Sequence, residues 1–464
     1  MMAKRVFAFT PHLFALLLSL LSLLIFFMEY AWPKPGMGLV AALVVFTIGC
    51  WATGAYPAHL TAILFFCLAM IFKVAPPATV FSGFHSPAFW LVFSGLVIGT
   101  AIVKTGLGDR LAALLAYRLT GSYAGLISGV TLAGMVMGFV IPTSMGRMAF
   151  LIPVVLLLTR HFGFKPGSNG YYGLVLAAAF GSHVTNFAVL TANVVNVILA
   201  GFGEALYGTT FFFGPFLLLH YPVLGLAKAV AIILLVLWLF PDLPSRGGPH
   251  EKSVQKRLSA AEIGLAIGLS CALLLWMTDR FHHISPAWVG LLVGVYLLFP
   301  GVGPLSKAED FALLDLKPLF FVAGVIGVGA LVADSGLGTL LSERLRELLP
   351  LRAGADFQNF MTLASTAILT SLVTTLPGAP AVLTPFAKEM ADLTGFSIEA
   401  VLMSQMVGFA MAPFPYQAPP LMAALALGQV PLLVAIRFSL ILAAIHFFLL
   451  MPLDYLWWKG LGWI

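Results

Sequence analysis

Pro142-Thr143-Ser144-Met145-Gly146-Arg147 sits in the middle of an apolar run from 122 to 158, and Thr374-Thr375-Leu376-Pro377-Gly378-Ala379-Pro380 sits in the middle of another from 359 to 391. A helix cannot pass through either stretch, because proline lacks the backbone donor and its ring collides with the preceding turn. Irregular backbone survives at membrane depth only where protein or a water-filled cavity surrounds it. Each interrupted run therefore predicts a re-entrant hairpin whose tip lies inside a bilayer.

The rest of the chain makes the bilayer its solvent. Of 464 residues, 61% are apolar, 13% aromatic and 9% charged, where a soluble domain carries about a quarter charged. An ordinary globular enzyme and a disordered chain are both excluded. Apolar runs predict eleven spans, near 12–32, 37–55, 57–74, 87–106, 172–202, 214–240, 259–278, 286–300, 318–334, 396–428 and 431–453. The 172–202 and 396–428 runs are too long and too polar midway for one straight helix and read as broken helices. The fold class is an all-α polytopic membrane protein.

The 24 Lys and Arg exceed the 18 Asp and Glu, but no basic run is interleaved with aromatics, so no nucleic-acid partner is expected. Loop charge explains the excess. With the N-terminus cytoplasmic, inner loops carry twelve Lys and Arg, from Lys4 to Lys317, and outer loops eight, from Lys34 to Lys459, which places the C-terminus outside. Lys4 and Arg5 before the first run imitate a secretory leader, yet Met28-Glu29-Tyr30-Ala31-Trp32-Pro33 offers no small-residue cleavage site, so an uncleaved span is expected. Cys50, Cys67 and Cys271 lie singly in apolar runs and read as core residues.

The chain repeats itself. Lys104-Thr105-Gly106-Leu107-Gly108 returns as Asp334-Ser335-Gly336-Leu337-Gly338, an offset of 230, and Pro153 returns as Pro385, an offset of 232. The implied organisation is an N-terminal span (1–35), a first repeat (36–240), a cytoplasmic linker (241–258) and a second repeat (259–464). Five spans and one hairpin per half invert the second half relative to the first. Inverted repeats with paired broken helices mark secondary transporters, because two equivalent gates alternate around one midplane site.

Polar residues in these breaks are the candidate site. In the first half they are Thr143, Ser144, Arg147, Thr185, Asn186, Thr191, Asn193 and Asn196; in the second, Thr374, Thr375, Gly378 and Gln417. Arg147 at membrane depth either faces a polar cavity, where its planar charged fork suits a carboxylate or sulfate, or snorkels to the headgroups. The amides either line that cavity or satisfy backbone groups freed by the break. His183 is a packed histidine or a proton carrier. Lys104, Lys228, Asp334, Arg437 and His446 rank below Arg147.

Two repeats, each with a hairpin tip followed by a broken helix, resemble the divalent anion sodium symporter family of the ion transporter superfamily, over almost the whole chain from residue 36. That family carries Ser-Asn-Thr at each tip and a Gly-Thr-Pro-Pro-Asn-like turn in each broken helix. Here the corresponding tips are Thr143-Ser144-Met145 and Thr375-Leu376-Pro377, without the asparagine. The first break keeps the final Asn196 but lacks the prolines, whereas the second keeps Pro419-Pro420 and has Leu421 in place of the asparagine. The resemblance implies a carrier of a small anion, of the di- or tricarboxylate, sulfate or sulfonate class. It would move by an elevator mechanism against a homodimeric scaffold, in the lipid bilayer of a bacterial inner membrane. No cofactor is implied. Sodium, with a possible site near Ser144 and Asn193, and a proton are the candidate coupling ions, beside anion exchange; Arg147 would otherwise supply a fixed positive charge where related carriers bind sodium. A membrane enzyme lacks support, since no HExxH, no GxSxG and no Asp/Glu pair occurs within the spans. A channel or sensor on a carrier fold fits the same sequence.

Overall fold

The structure, a computed structural model, describes residues 2–28, 32–107, 110, 122–244, 258–337, 340, 349–374 and 376–464, excepting the side chains of residues 2–14 and Ala308. The expected cytoplasmic linker falls mostly outside these residues, as does Thr375. All regular structure among them is helical.

Helices α1 (Met2–Phe27), α2 (Met37–Thr53), α3 (Ala58–Ile71) and α4 (Pro87–Thr105) lead to the first hairpin, α5 (Tyr123–Val140) and α6 (Ser144–His161). The first broken helix is α7 (Asn169–His183), two 3-10 turns and α8 (Val194–Tyr207), followed by α9 (Phe213–Leu239). The second half opens with α10 (Ala260–Met277), α11 (Pro286–Leu298) and α12 (Lys317–Ser335). Its hairpin comprises α13 (Asp356–Val373), the short α14 (Ala379–Leu383) and α15 (Ala387–Thr394). Its broken helix is α16 (Ile398–Phe409), a 3-10 turn and α17 (Pro419–Leu427), and α18 (Leu432–Gly460) closes the chain.

The glycines of the two similar stretches end their helices alike. Gly106 ends α4 at φ 76°, ψ 9°, and Gly336 ends α12 at φ 76°, ψ 7°. Both occupy the left-handed region that glycine enters without a Cβ penalty. The preceding hydroxyls behave alike: Thr105 Oγ1 accepts from the Leu107 N–H at 3.4 Å and Ser335 Oγ from the Leu337 N–H at 3.3 Å. Each half also contains one π-helical segment, Tyr221–Ala227 within α9 and His446–Leu450 within α18. Pro222 and Pro452 lie in or just after these segments, and the widened turn accommodates a residue with no N–H to give.

Among the described residues, six helices are long and apolar enough to cross a membrane alone: α4, α5, α9, α10, α12 and α18. The eleven spans expected from hydropathy include shorter helices of 12 to 17 residues, among them α2, α3, α8, α11 and α16. Hydropathy windows merged segments that glycine, proline and the breaks cut short. Helix α5, expected as a hairpin arm, is itself long enough to span. Trp238, Leu274, Leu433 and Phe448 project from these helices, exposed. Apolar surface on this scale is turned to lipid.

Inside, apolar side chains gather in two clusters. One unites α2, α3, α4, α8 and α12 around Phe65, Ile198 and Val328; the larger fills the space around the hairpins and broken helices. The halves interlock, since α17 packs on α6 and α7, while α8 packs on α16 and on the second hairpin. Two ion pairs join the end of the α4 region to the second half: Lys104 to Asp310 at 2.5 Å and Arg110 to Glu262 at 2.9 Å.

Candidate functional site

The first hairpin breaks where the prolines demanded. Helix α5 stops at Val140, Ile141 and Thr143 are extended, and α6 begins at Ser144 with Thr143 Oγ1 accepting from the Gly146 N–H at 3.2 Å. The break is shorter than the motif, for Ser144 and Arg147 already belong to the first turn of α6. Helix α7 ends at His183, and the unwound segment runs to Asn193, whose Oδ1 accepts from the Val195 N–H at 3.0 Å and so caps α8. Asparagine at an N-cap satisfies one of the free donors of the new helix.

Arg147 joins these pieces. It is wholly buried; Nη1 donates to the carbonyls of Ile141 at 2.7 Å and Ala192 at 2.9 Å, Nε to the carbonyl of Ser182 at 3.3 Å, and Nη2 to Ser144 Oγ at 2.9 Å. Ile141 and Ser182 close α5 and α7, so the guanidinium lies at the negative ends of two helix dipoles. Four of its five N–H groups are used. Expected as a bidentate fork for carboxylate, Arg147 offers at most one free N–H in this arrangement, and its side chain is turned into the protein. Among the described residues no carboxylate pairs with it. What it supplies is a fixed positive charge in the unwound region.

The same geometry bears on sodium. A cation near Ser144 and Asn193 would need oxygens of the kind that converge here, but Ser144 Oγ and the Ile141 and Ala192 carbonyls accept from the guanidinium, and Asn193 Oδ1 caps a helix. These residues do not fit a sodium ion while Arg147 holds them. Among the described residues no cluster of His, Cys, Asp and Glu could hold another metal.

The asparagines divide their work. Asn186 Nδ2 donates to the carbonyls of Gly134 at 2.9 Å and Ser182 at 2.8 Å, and Asn196 Nδ2 to those of Phe187 at 3.0 Å and Val189 at 2.9 Å. Asn196 therefore serves backbone of the unwound segment, while Asn186 joins the end of α7 to the interior of α5. Asn186 reaches α5 because Gly138 leaves room: a Cβ there would stand 1.8 Å from Asn186 Oδ1. Asn193 Nδ2, Asn196 Oδ1, Ser182 Oγ and both ring nitrogens of His183 are buried without a partner. Thr185 donates to Gly181 at 2.5 Å, and Thr191 is buried further along the unwound stretch.

In the second half Gln417 takes the joining role. Its Nε2 donates to the Ser371 carbonyl at 2.7 Å and to Ser371 Oγ at 3.1 Å, its Oε1 accepts from the Phe414 N–H at 2.9 Å, and its carbonyl accepts from the Leu376 N–H at 3.1 Å. Thr374 donates to Thr370 at 2.9 Å, and buried Gly378 precedes α14. Ser371, on the apolar-looking α13, was not singled out in sequence; its position one turn before the Thr374 tip was the available signal. Tyr416 stacks on Phe414 with ring centroids 5.7 Å apart and is half exposed. Of the lower-ranked residues, Lys104 is tied to Asp310, Arg437 and Asp334 are exposed, and Lys228 and His446 are buried behind the breaks.

A crevice of about 640 Å³ lies between the second hairpin and α2 and α12, lined by Val44, Ile48, Val332, Leu369, Val373 and Phe386, with Thr370 and Thr374 among its few polar side chains. It is large enough for a tricarboxylate but lacks the donors an anion requires.

Paired helix breaks, each tied to a proline-broken tip, define a membrane carrier of the secondary type. Residues 43–428 match the citrate transporter family, CitMHS. The chain belongs to that family and is a transporter, not an enzyme. The resemblance to divalent anion sodium symporters is thus resolved to a different family of the ion transporter superfamily. A membrane protein of Cupriavidus necator is 24% identical over 406 residues, covering 82% of this chain and 77% of that one. The L-tartrate/succinate antiporter of Escherichia coli strain K12 is 26% identical over 236 residues, 47% of this chain and 46% of the antiporter. The match to these antiporters thus spans about half their length. The crystal structure of the Alcanivorax borkumensis YdaH transporter is similar with a TM-score of 0.57 at 18% identity, over 83% of this chain and 88% of that chain, a likeness of fold alone.

Proposed function

We propose that this protein is a sodium-independent secondary carrier of di- or tricarboxylates in a bacterial plasma membrane. The observation that carries the reading is Arg147: a permanent cation, with no acidic partner among the described residues, held by three carbonyls and a hydroxyl in the unwound region. A carboxylate bound between the breaks would be attracted by that charge without a co-bound cation. The polar atoms left over suit direct contact, and Asn193 Nδ2 is a better donor to substrate than Asn196, whose amide hydrogens are engaged. Thr143, Ser144, Thr185, Thr191, Thr374, Gly378 and Gln417 would frame the site from both halves.

In this reading the halves are inverted repeats, N-terminus inside and C-terminus outside, with a hairpin-bearing bundle moving as an elevator against a homodimeric scaffold. Similarity to L-tartrate/succinate antiporters favours exchange of one carboxylate for another among the transport modes. The test is counterflow in proteoliposomes loaded with succinate, tartrate or citrate, with external labelled carboxylate and choline replacing sodium. Uptake that persists in choline is the expected result. Uptake that requires sodium would remove the surrogate-cation role of Arg147, and a lack of counterflow with every carboxylate would remove the substrate class.

A further inference from the structure

Behind the second break lies a group of ionisable side chains that carboxylate recognition does not use. Lys228, on α9, is buried, and its Nζ donates to the carbonyl of Ala410 at 2.9 Å, where α16 comes to its end. Asp454, on α18, is buried, and the part of α18 that carries it packs on the π-helical segment Tyr221–Ala227, which ends just before Lys228. Lys228 and Asp454 do not form an ion pair within 4.0 Å. Neither carboxylate oxygen of Asp454 has a hydrogen-bond partner of good geometry, although the Trp458 indole is beside it. His446 Nε2 lies 3.1 Å from the Val407 carbonyl, which makes Nε2 the protonated nitrogen and leaves Nδ1 a buried acceptor without a partner.

The positions are related by the internal repeat. His220 and His446 are 226 residues apart, and so are Lys228 and Asp454. His220 immediately precedes the π-helical segment of α9, and His446 opens that of α18. The residue eight positions after the histidine is a cation in one half and an acid in the other. The two π-helical segments pack on each other, which brings the opposite charges near. A cavity of about 10 Å³ touches Lys228, Ala410, Ala412, Ser439 and His446, roughly the room one water molecule takes.

We infer that Asp454, with Lys228 and His446, forms a proton-binding site that travels with the hairpin-bearing bundle. The carboxylate accepts the proton: unprotonated it balances Lys228, and protonated it leaves the ammonium balanced only by the Ala410 carbonyl at the end of α16. A water in the small cavity would connect Lys228 to His446 Nδ1. Other titratable groups beside this cluster are His183 on α7, whose neighbour Val184 lines the same small cavity, and His220 on α9, which packs against Trp458 with ring centroids 5.6 Å apart. Buried ionisable groups inside a transporter mark ion pathways when they pair across helices.

The transport part of this inference rests on the carrier reading, so two measurements are needed. The first needs no substrate. Infrared difference spectra of the purified protein in lipid, taken on acidification, should show in wild type, beyond the bands of the solvated carboxylates, the high-frequency carbonyl stretch of a buried carboxylic acid without a hydrogen-bond partner, and lose that band in Asp454→Asn. The same band in Asp454→Asn, or its absence from wild type over the range where the protein stays folded, overturns the site. The second measures accumulation of labelled carboxylate driven by an inside-alkaline pH gradient, alongside counterflow. The double variant Lys228→Met/Asp454→Leu removes both charges and replaces a buried pair by apolar side chains, a change that folded proteins tolerate. It should keep counterflow within about twofold and lose a several-fold response to the gradient. A response retained in the double variant, or missing in a wild type that performs counterflow, overturns proton coupling here. A wild type without counterflow defeats the carrier reading and leaves the infrared result to decide the proton site.

Discussion

The two halves close the same joint with different chemistry. In the first, a guanidinium ties the end of α5, the end of α7 and the unwound segment through three carbonyls and Ser144 Oγ. In the second, the neutral amide of Gln417 ties its break to Ser371 of α13. Geometry is repeated and charge is not. An anion bound between the breaks, as proposed, would experience an asymmetric field, positive on the first-half side, so that an acidic substrate would be favoured without a charged residue in each half.

The comparison breaks most readily at Arg147. Arg147→Gln removes the charge and the guanidinium donors of the buried Ile141 and Ala192 carbonyls, while the Ser182 carbonyl keeps Asn186 Nδ2. A loss on the order of 3 to 5 kcal/mol is expected, because each orphaned group costs about 1 to 3 kcal/mol. Thermal unfolding in detergent should show it directly, and equilibrium binding of tartrate or succinate should weaken tenfold or more. Arg147→Lys should restore part of the affinity and less of the stability, for one ammonium cannot reach carbonyls arranged around a planar fork. Unchanged affinity in Arg147→Gln would mean that the charge is structural only.

Gln417→Leu is the matched test in the other half. It strips donors from Ser371 and an acceptor from the Phe414 N–H, a cost of about 1 to 3 kcal/mol, but removes no charge. Stability should drop while substrate affinity stays within about threefold. Equal affinity losses at Arg147 and Gln417 would show that the asymmetry is only apparent.

Within the first half, Gly138→Ala should displace Asn186, with a penalty of about 1 to 3 kcal/mol for overpacking. Asn196→Ala should destabilise by a similar amount, as it frees two carbonyls. Asn193→Ala should cost about 1 kcal/mol through the lost cap, yet reduce substrate binding more than Asn196→Ala does when both are measured by isothermal titration. The reverse order would restore Asn196 as the binding asparagine.

The smallest effect is expected at the ion pair between the halves. The Lys104 ammonium, with the Lys307 N–H, holds the Asp310 carboxyl below the usual carboxylate range. The stability this adds is present at neutral pH and fades as pH falls below the ordinary carboxylate value toward that of the folded protein. Lys104→Gln should leave the neutral-pH melting temperature within a few degrees, consistent with a partly exposed pair, and should flatten the loss on acidification. An unchanged acid response would assign it to other carboxylates.

Proline and glycine made the breaks legible. Pro142 and Pro377 marked both tips, and Gly106 and Gly336 marked the repeat, because these residues act through their own backbone. The partners of Arg147 were not legible in the same way: its acceptors lie 6, 35 and 45 residues along the chain, and only the fold brings three helix ends to one point. Arginine at membrane depth announced a charge, not whether that charge faces ligand or main chain. The last span shows another limit. Hydropathy ended it at 453, since Asp454 lowers the average, whereas the helix continues to Gly460 with Asp454 buried inside. The residue that stopped the sequence reading carries a carboxylate with neither oxygen partnered.

The crevice beside the second hairpin has a pharmacological consequence. Its walls belong to α2 and α12 on one side and to α13, α14 and Phe386 on the other. If the hairpin slides against α2 and α12 during the cycle, the crevice cannot keep the same volume in both states. A small apolar molecule wedged there would arrest the protein in one state without resembling a carboxylate. Such an inhibitor would lower the maximal rate while added substrate failed to displace it, and its potency would follow its fit to Val44, Val332 and Leu369 rather than its charge.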